Sequence, residues 1–264
     1  MRQFRVVRDP TPPTVKPLNW RQVKRPWVGC MHLGDNDIYV SAPLRRLLDA
    51  QMRVLTPELQ RCFGTHALLL GAAKDDIPPA LPMLGSWVRL FLDGNCYRGD
   101  LLAATGESLP FSDDAFDLVL LRHALEVSPA ASALLAQAIR VLAPGGLLAL
   151  TGVHPLSGWS PWLRWQAKGR PLRLQLPLRL HQVLRQEGLE VELAQRVGRS
   201  WPGLRSRDKK VVNVFGGGYV LIARKRRRVA LPRRNVPATV AVPAGGRLSP
   251  GTRRSSALQT TRDT

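Results

Sequence analysis

The chain has 264 residues, of which 44% are hydrophobic, and is therefore long enough for one α/β domain with a core and extensions. Its longest apolar runs are far shorter than the roughly 18–20 residues that span a membrane, and its basic amino terminus is not followed by the apolar stretch typical of a signal peptide. A formal net charge of +20 favours anionic partners, and we expect a cytoplasmic protein.

The positive charge is concentrated at the two ends of the chain. Residues 1–29 contain seven Lys and Arg against one acid, and residues 224–264 contain eleven against one, whereas the stretch between them contains 21 against 17. Such basic segments bind polyanions, chiefly nucleic acid, because counterions are released from the anionic backbone. The composition predicts three parts: a basic, Pro-rich arm at 1–39, a folded domain at 40–225 and a disordered basic tail at 226–264.

Hydrophobic periodicity predicts alternating helices and strands. The leucines of 42–59 have helical spacing, and Pro57 marks the end of this helix or a kink. Further helices are predicted at 129–142 and 177–187. Strands are predicted at 66–71, 87–92, 116–121, 147–153, 191–197 and 219–223, with a weaker one at 100–104. The order strand, helix, Pro-Gly-Gly turn, strand over 116–153 is a βαβ unit and predicts a parallel sheet.

Polar residues follow two of the predicted strands. Ligands in open parallel sheets bind beyond the carboxyl ends of the strands, so Arg122 and His123 are expected to line a cleft. His154 would lie at the mouth of the same cleft, as a candidate substrate-binding residue. A lone histidine at a strand end is more often a local hydrogen-bonding residue, and that alternative stays open for both histidines. No group of His and Cys has metal-ligand spacing, so we expect no metal site.

Three tryptophans, Trp159, Trp162 and Trp165, are interleaved with Arg164 and Lys168. Aromatic residues among cations suit nucleobase stacking with phosphate contact, which makes Trp159 and Trp162 candidate substrate-binding residues. One alternative is an amphipathic lid helix whose tryptophans cover the cleft or the sheet edge. Another is a segment that shelters a hydrophobic substrate at a membrane surface.

Residues 107–153 resemble class I S-adenosylmethionine (SAM)-dependent methyltransferases of the type 11 group. The residues that match the family's motif are Glu107, LPF at 109–111, Asp114, FD at 116–117 and RVLAPGG at 140–146. The resemblance extends more weakly over about 40–225, with the YafS-like proteobacterial proteins as the nearest subgroup. It implies a Rossmann-like sheet, mostly parallel with an antiparallel closing strand, and helices on both faces. The helix that follows the second strand in the family is missing here.

The resemblance also implies where the cofactor SAM would bind. Of the glycine-rich loop after the family's first strand this chain keeps Gly71, while Ala73 adds a Cβ where backbone approaches the methionine moiety. Asp93 corresponds to the acid that accepts hydrogen bonds from the ribose, and Thr105 stands at the adenine-edge acid. The implied cofactor-binding residues are Gly71, Ala72, Ala73, Asp93, Thr105, Gly106, Glu107, Ser108, Leu109, Arg122 and His123.

Two functions are compatible with these features. The first is a SAM-dependent methyltransferase whose acceptor is anionic, with nucleic acid as one example. Methyl transfer is an in-line displacement that needs mainly proximity and alignment, so no catalytic residue is assigned. The alternative is a catalytically inactive methyltransferase-fold protein that acts as a nucleic-acid-binding module. The oligomeric state stays open.

Overall fold

The computed structural model describes residues 38–202 and 214–226. The predicted arm at 1–39 and the predicted tail at 226–264 lie almost entirely outside these ranges, so both stay predictions. No helix within the described ranges is long and apolar enough to cross a membrane.

The described residues form eight strands and five helices. The strands are β1 Gly64–Gly71, β2 Leu84–Asp93, β3 Cys96–Gly99, β4 Ala103–Ala104, β5 Phe116–Arg122, β6 Leu142–Val153, β7 Leu189–Val197 and β8 Gly218–Lys225. The helices are α1 Ala42–Leu59, α2 Ala124–Val127, α3 Ala131–Val141, α4 Trp159–Gln166 and α5 Pro177–Gln186, and a short 3-10 turn, Ile38–Val40, precedes α1.

The strands form one sheet in the order β4-β3-β2-β1-β5-β6-β8-β7. The central strands β2, β1, β5 and β6 pair in parallel, and β8 is inserted antiparallel between β6 and β7. This order and these directions confirm the Rossmann-like class I methyltransferase sheet. At the other edge, β2 turns directly into the antiparallel β3 through Gly94, whose φ is +59°. A hairpin therefore stands where an α/β repeat would place a helix.

Helices cover both faces of the sheet, because strand residues alternate between two hydrophobic clusters. Leu69, Leu118 and Leu120 pack with Leu55 and Leu59 of α1 on one face. On the other face, neighbouring strand residues such as Leu68 and Leu121 pack with residues of α3 and α5, namely Leu134, Leu135, Ala138, Leu180 and Leu184. This alternation with period two is what buries a central parallel strand on both sides.

Pro57 and the APGG sequence do not end the elements in which they lie. Pro57 lies inside the last turn of α1, which ends two residues later. The APGG sequence does not separate helix from strand, because β6 already begins at Leu142. Gly146 sits so close to β5 that a Cβ there would lie 3.0 Å from the carbonyl oxygen of Asp117. The glycine thus allows the strand to pass its neighbour.

Candidate functional site

A cleft of about 650 Å³ opens at the carboxyl edge of β1 and β5. It lies at the switch point of the sheet, where the chain leaves β1 for β2 on one side and later returns to β5 on the other. Open α/β sheets bind ligands at this point, and the volume is within the range of roughly 300–1,000 Å³ for small-molecule sites. One wall is α1 with the preceding turn, and the other is the loop that follows β1.

Charged side chains of both signs line this cleft. Arg45 and Asp49 come from the exposed face of α1, and Asp75 comes from the loop after β1. Two of the predicted cofactor residues, Ala73 and Arg122, also line it. A cleft with carboxylates and guanidinium groups close together suits a ligand that itself carries both charges.

Gly71 is the last residue of β1. The side of Gly71 where a side chain would be attached points at the carboxylate of Asp76. A Cβ on Gly71 would collide with that carboxylate. Arg122 Nη1 lies 3.4 Å from Asp76 Oδ1 and donates a hydrogen bond of 3.2 Å to the carbonyl oxygen of Ile77. The two charged side chains are only 10% and 11% exposed. The loop after β1 therefore folds back over the glycine, and a ligand that touches Gly71 must displace the Asp76 side chain.

His123 follows Arg122 but lies inside the protein, with 0% of its surface exposed. Its Nδ1 lies 3.0 Å from Glu126 Oε2, and its Nε2 lies 2.8 Å from Gln51 Oε1. The Gln51 amide nitrogen donates to the carbonyl oxygens of Gly152 and Tyr219, which fixes the Gln51 oxygen as an acceptor. His123 Nε2 must then donate. The sequence left open whether His123 lines the cleft or makes local hydrogen bonds. These contacts support the second interpretation.

Glu126 links this buried network to further elements. Its Oε1 accepts a hydrogen bond from the backbone N–H of Val153, and its Oε2 accepts one of 3.1 Å from the Tyr39 hydroxyl. The Tyr39 ring also meets the His123 ring edge-on, at 5.5 Å between centroids. The network thereby joins α1 and the preceding turn to the ends of β5 and β6. It sets the position of one wall of the cleft.

Asp93 and Thr105 lie on the β2–β3 hairpin and its surroundings. The Asp93 carboxylate forms an ion pair of 3.1 Å with Arg98 Nε across the hairpin. Thr105 donates from its backbone N–H and from its hydroxyl to the carbonyl oxygen of Asn95, at 2.8 and 3.1 Å. Both side chains are thus close to the carboxyl end of β2, outside the walls of the 650 Å³ cleft.

The LPF segment is tied to α3. Leu109 is 2% exposed; its N–H donates to Gln137 Oε1, and its carbonyl oxygen accepts a 2.8 Å hydrogen bond from Arg140. The three residues before it are exposed: Gly106, Glu107 and Ser108. Leu109 therefore acts first as an anchor between the loop and α3.

His154 is half-buried just after β6, where its backbone N–H donates to the carbonyl oxygen of Gly217. Its Nδ1 accepts a 3.2 Å hydrogen bond from the N–H of Leu156. Burial lowers the pKa of His154 below its ordinary value of 6.5, and the nearby Arg196 lowers it further. The ring is therefore a neutral hydrogen-bond acceptor near neutral pH, and it does not line the cleft.

Trp159 is a core residue. It is 3% exposed, and its Nε1 donates a 2.8 Å hydrogen bond to the carbonyl oxygen of Arg199. Trp162 is half-buried against it, edge to face at 5.6 Å between ring centroids. The cluster around them includes Ala72 and Ala73. Because Trp159 is buried in this cluster, the lid-helix alternative fits α4 better than base stacking by Trp159.

Several residues of the site were not among the sequence-based candidates. Asp76 lies in the loop after β1, and nothing in the sequence indicates that it pairs with Arg122, 46 positions away. Arg45 and Asp49 have no signal beyond their place on the polar face of a helix. Gln51 could have been noticed in the sequence, because it is a polar residue among the apolar, buried positions of α1.

Part of the chain matches a known protein family. The family model for a methyltransferase domain matches residues 89–150. These residues include β5, α3 and most of β6, which is where the sequence resemblance is strongest. The match begins after β1 and the loop that faces Gly71, so the cleft wall built from α1 and residues 72–80 lies outside it.

A curated relative is "Phthiotriol/phenolphthiotriol dimycocerosates methyltransferase 1" of Mycobacterium ulcerans (strain Agy99), which is 39% identical over 74 residues. The aligned part is 28% of this chain and 27% of that protein. The chain thus spans about a quarter of the length of the curated relative it matches.

Solved structures with a similar chain path include two SAM-dependent methyltransferases. The protein from Thermotoga maritima is 14% identical, with 70% of this chain and 99% of that chain covered and a TM-score of 0.44. The protein from Archaeoglobus fulgidus is 15% identical, with 69% and 94% covered and a TM-score of 0.44. Because these sequence identities and TM-scores are low, the fold assignment rests on the strand order and strand directions of this chain itself.

Proposed function

We propose that this chain, whose residues 89–150 match the family model for a methyltransferase domain, is an enzyme that transfers a methyl group from SAM to an anionic acceptor. The proposal rests on the cleft at the carboxyl ends of β1 and β5. It lies at the switch point of a class I sheet and is lined by charges of both signs. When bound, SAM supplies a methyl group on a sulfonium for in-line displacement. The protein contributes binding, alignment and exclusion of water, which suffice for a nucleophilic acceptor.

The residues of the cleft fit such a cofactor in charge. Its amino-acid end needs both a cation and an anion as partners, and the exposed Arg45, Asp49 and Asp75 can provide them. Arg122 and Asp76 are paired with each other in this structure. A ligand carboxylate that reaches Arg122 would replace Asp76 as its partner and at the same time uncover Gly71.

The test is calorimetric titration of the full chain with SAM and with S-adenosylhomocysteine. We expect saturable binding that Asp49→Asn weakens about tenfold, because a charge-assisted hydrogen bond is worth roughly 1.5–3 kcal/mol. Glu187→Gln, an exposed carboxylate at the end of α5, is the matched control and should bind like the unsubstituted protein. No heat at millimolar concentration of either ligand would contradict the proposal and favour the inactive, nucleic-acid-binding alternative.

The anionic character of the acceptor is supported by the net charge of +20, which lies mostly at the two ends of the chain. Nucleic acid is one acceptor of this kind, and its binding through the basic ends stays a prediction. The YafS-like subgroup and the cytoplasmic location are likewise predictions.

A further inference from the structure

Residues 154–186 contain no Asp or Glu. They include six cations, of which five are exposed and Arg170 is half-buried: Arg164, Lys168, Arg170, Arg173, Arg179 and Arg185. This segment runs from the end of β6 through α4 and α5. A stretch of 33 residues with a net charge of +6, inside a folded domain, favours anionic partners for its exposed side chains.

The same segment exposes large apolar side chains among these cations. Leu156 is 80% exposed, Trp165 is 75% exposed and Leu178 is 79% exposed, and Leu176 follows at 43%. Both helices are nevertheless anchored, since Trp159 and Leu163 of α4 and the α5 residues Leu180 and Leu184 are buried. The exposed side chains are therefore additional to those that hold α4 and α5 on the domain.

The chemistry of these side chains distinguishes between two anionic partners. Single-stranded nucleic acid is bound by aromatic rings on which bases stack. Trp159 is buried and Trp162 half-buried, which leaves Trp165 as the one well-exposed ring of the three. The remaining exposed apolar residues are leucines, which have no ring face for a base. Leucine and tryptophan beside Lys and Arg are the residues that insert below the headgroups of an anionic bilayer.

We propose that residues 154–186 dock on the surface of an anionic phospholipid bilayer. Trp165 and Leu178 enter the headgroup region, and the surrounding arginines and Lys168 pair with lipid phosphates. Because α4 packs in the same cluster as Ala72 and Ala73, docking brings the bilayer to the carboxyl edge of the sheet. On the proposed function, an acceptor held in that surface would be close to the cofactor cleft.

The test is co-sedimentation of the full chain with vesicles of phosphatidylcholine alone and with vesicles that also contain about 30 mol% of the anionic lipid phosphatidylglycerol. We expect binding to the anionic vesicles that Trp165→Ser with Leu178→Ser lowers at least about tenfold, because two large side chains lose their apolar burial. The matched control is Phe63→Ser with Met83→Ser, which removes side chains 70% and 62% exposed near β1 and β2. All variants keep the same charge, so the basic ends contribute equally, and thermal unfolding checks that each is folded.

Three results would overturn the proposal. One is a change of less than about twofold in the Trp165/Leu178 variant, and another is an equal loss in the control. The third is that the Trp165/Leu178 variant loses affinity for a single-stranded RNA and keeps its affinity for vesicles, which would assign the surface to nucleic acid. Vesicle binding is measured without SAM, so its failure is distinct from a failure of cofactor binding.

Discussion

Two histidines at the ends of neighbouring strands have opposite surroundings. His123, after β5, is fully buried with a partner on each ring nitrogen, whereas His154, after β6, is half-buried with Nδ1 accepting from the backbone of Leu156. The same residue type in equivalent sequence positions thus joins elements in one case and shapes a loop in the other. At the residue scale, the number of hydrogen-bond partners decides the role.

The lowered pKa of His154 predicts a pH dependence of stability. Between the folded pKa and the ordinary value of 6.5, the unfolded chain binds more protons than the folded one, so the free energy of unfolding rises with pH. The contribution is present above 6.5 and is lost as the pH falls through the folded pKa. Denaturant unfolding at pH 5 to 8 should give a shallower loss on acidification for His154→Gln, and an identical slope for both proteins would contradict the assignment.

At the scale of elements, the two faces of α1 have different functions. Its apolar face packs on the sheet through Leu55 and Leu59, and its polar face forms a wall of the cleft with Arg45 and Asp49. Gln51 lies on the buried side and connects the helix to the ends of β6 and β8 through backbone carbonyls. The orientation of the cleft wall therefore depends on one amide as well as on leucines.

Gln51→Leu should destabilise the protein by about 2–3 kcal/mol, because it leaves His123 Nε2 and two carbonyl oxygens buried with fewer partners. Gln60→Leu, at the exposed end of α1, is the matched control and should change the free energy of unfolding by less than about 0.5 kcal/mol. Urea titration measures both. A cost for Gln51→Leu as small as that of the control would mean that the network does not hold α1.

At the scale of the whole molecule, charge and fold are divided between different parts of the chain. The segment 30–223, which includes almost all of the described residues, has a net charge of +4, and the ends add the rest of the +20. We therefore expect binding of polyanions by the ends and binding of small ligands in the cleft to be separable. Salt should affect the first far more than the second.

We predict that the affinity of the full chain for a single-stranded RNA falls at least about tenfold between 50 and 200 mM salt, because counterion release drives the contact. SAM affinity over the same range should change less than about threefold, since a small ligand meets few charges and releases few counterions. Filter binding and calorimetry measure the two. An RNA affinity that is independent of salt would contradict the electrostatic account of the basic ends.

The class of fold and the order of most elements could be predicted from the amino-acid sequence. Strands such as 116–121 and the helix over 42–59 follow from apolar periodicity, and the LPF, FD and RVLAPGG residues indicated the methyltransferase sheet. These are local properties, because period and turn chemistry depend on neighbours in the chain. The hairpin after β2 was partly foreseeable, as a missing helix.

The roles of the polar residues follow from the tertiary structure. It paired Asp76 with Arg122 over Gly71, enclosed His123 between Gln51 and Glu126, and buried Trp159 in the core. Each of these contacts joins residues from different elements, and the preference of an isolated side chain is too weak to select its partner. A contact between strand ends depends on sheet order, which is a property of the whole chain.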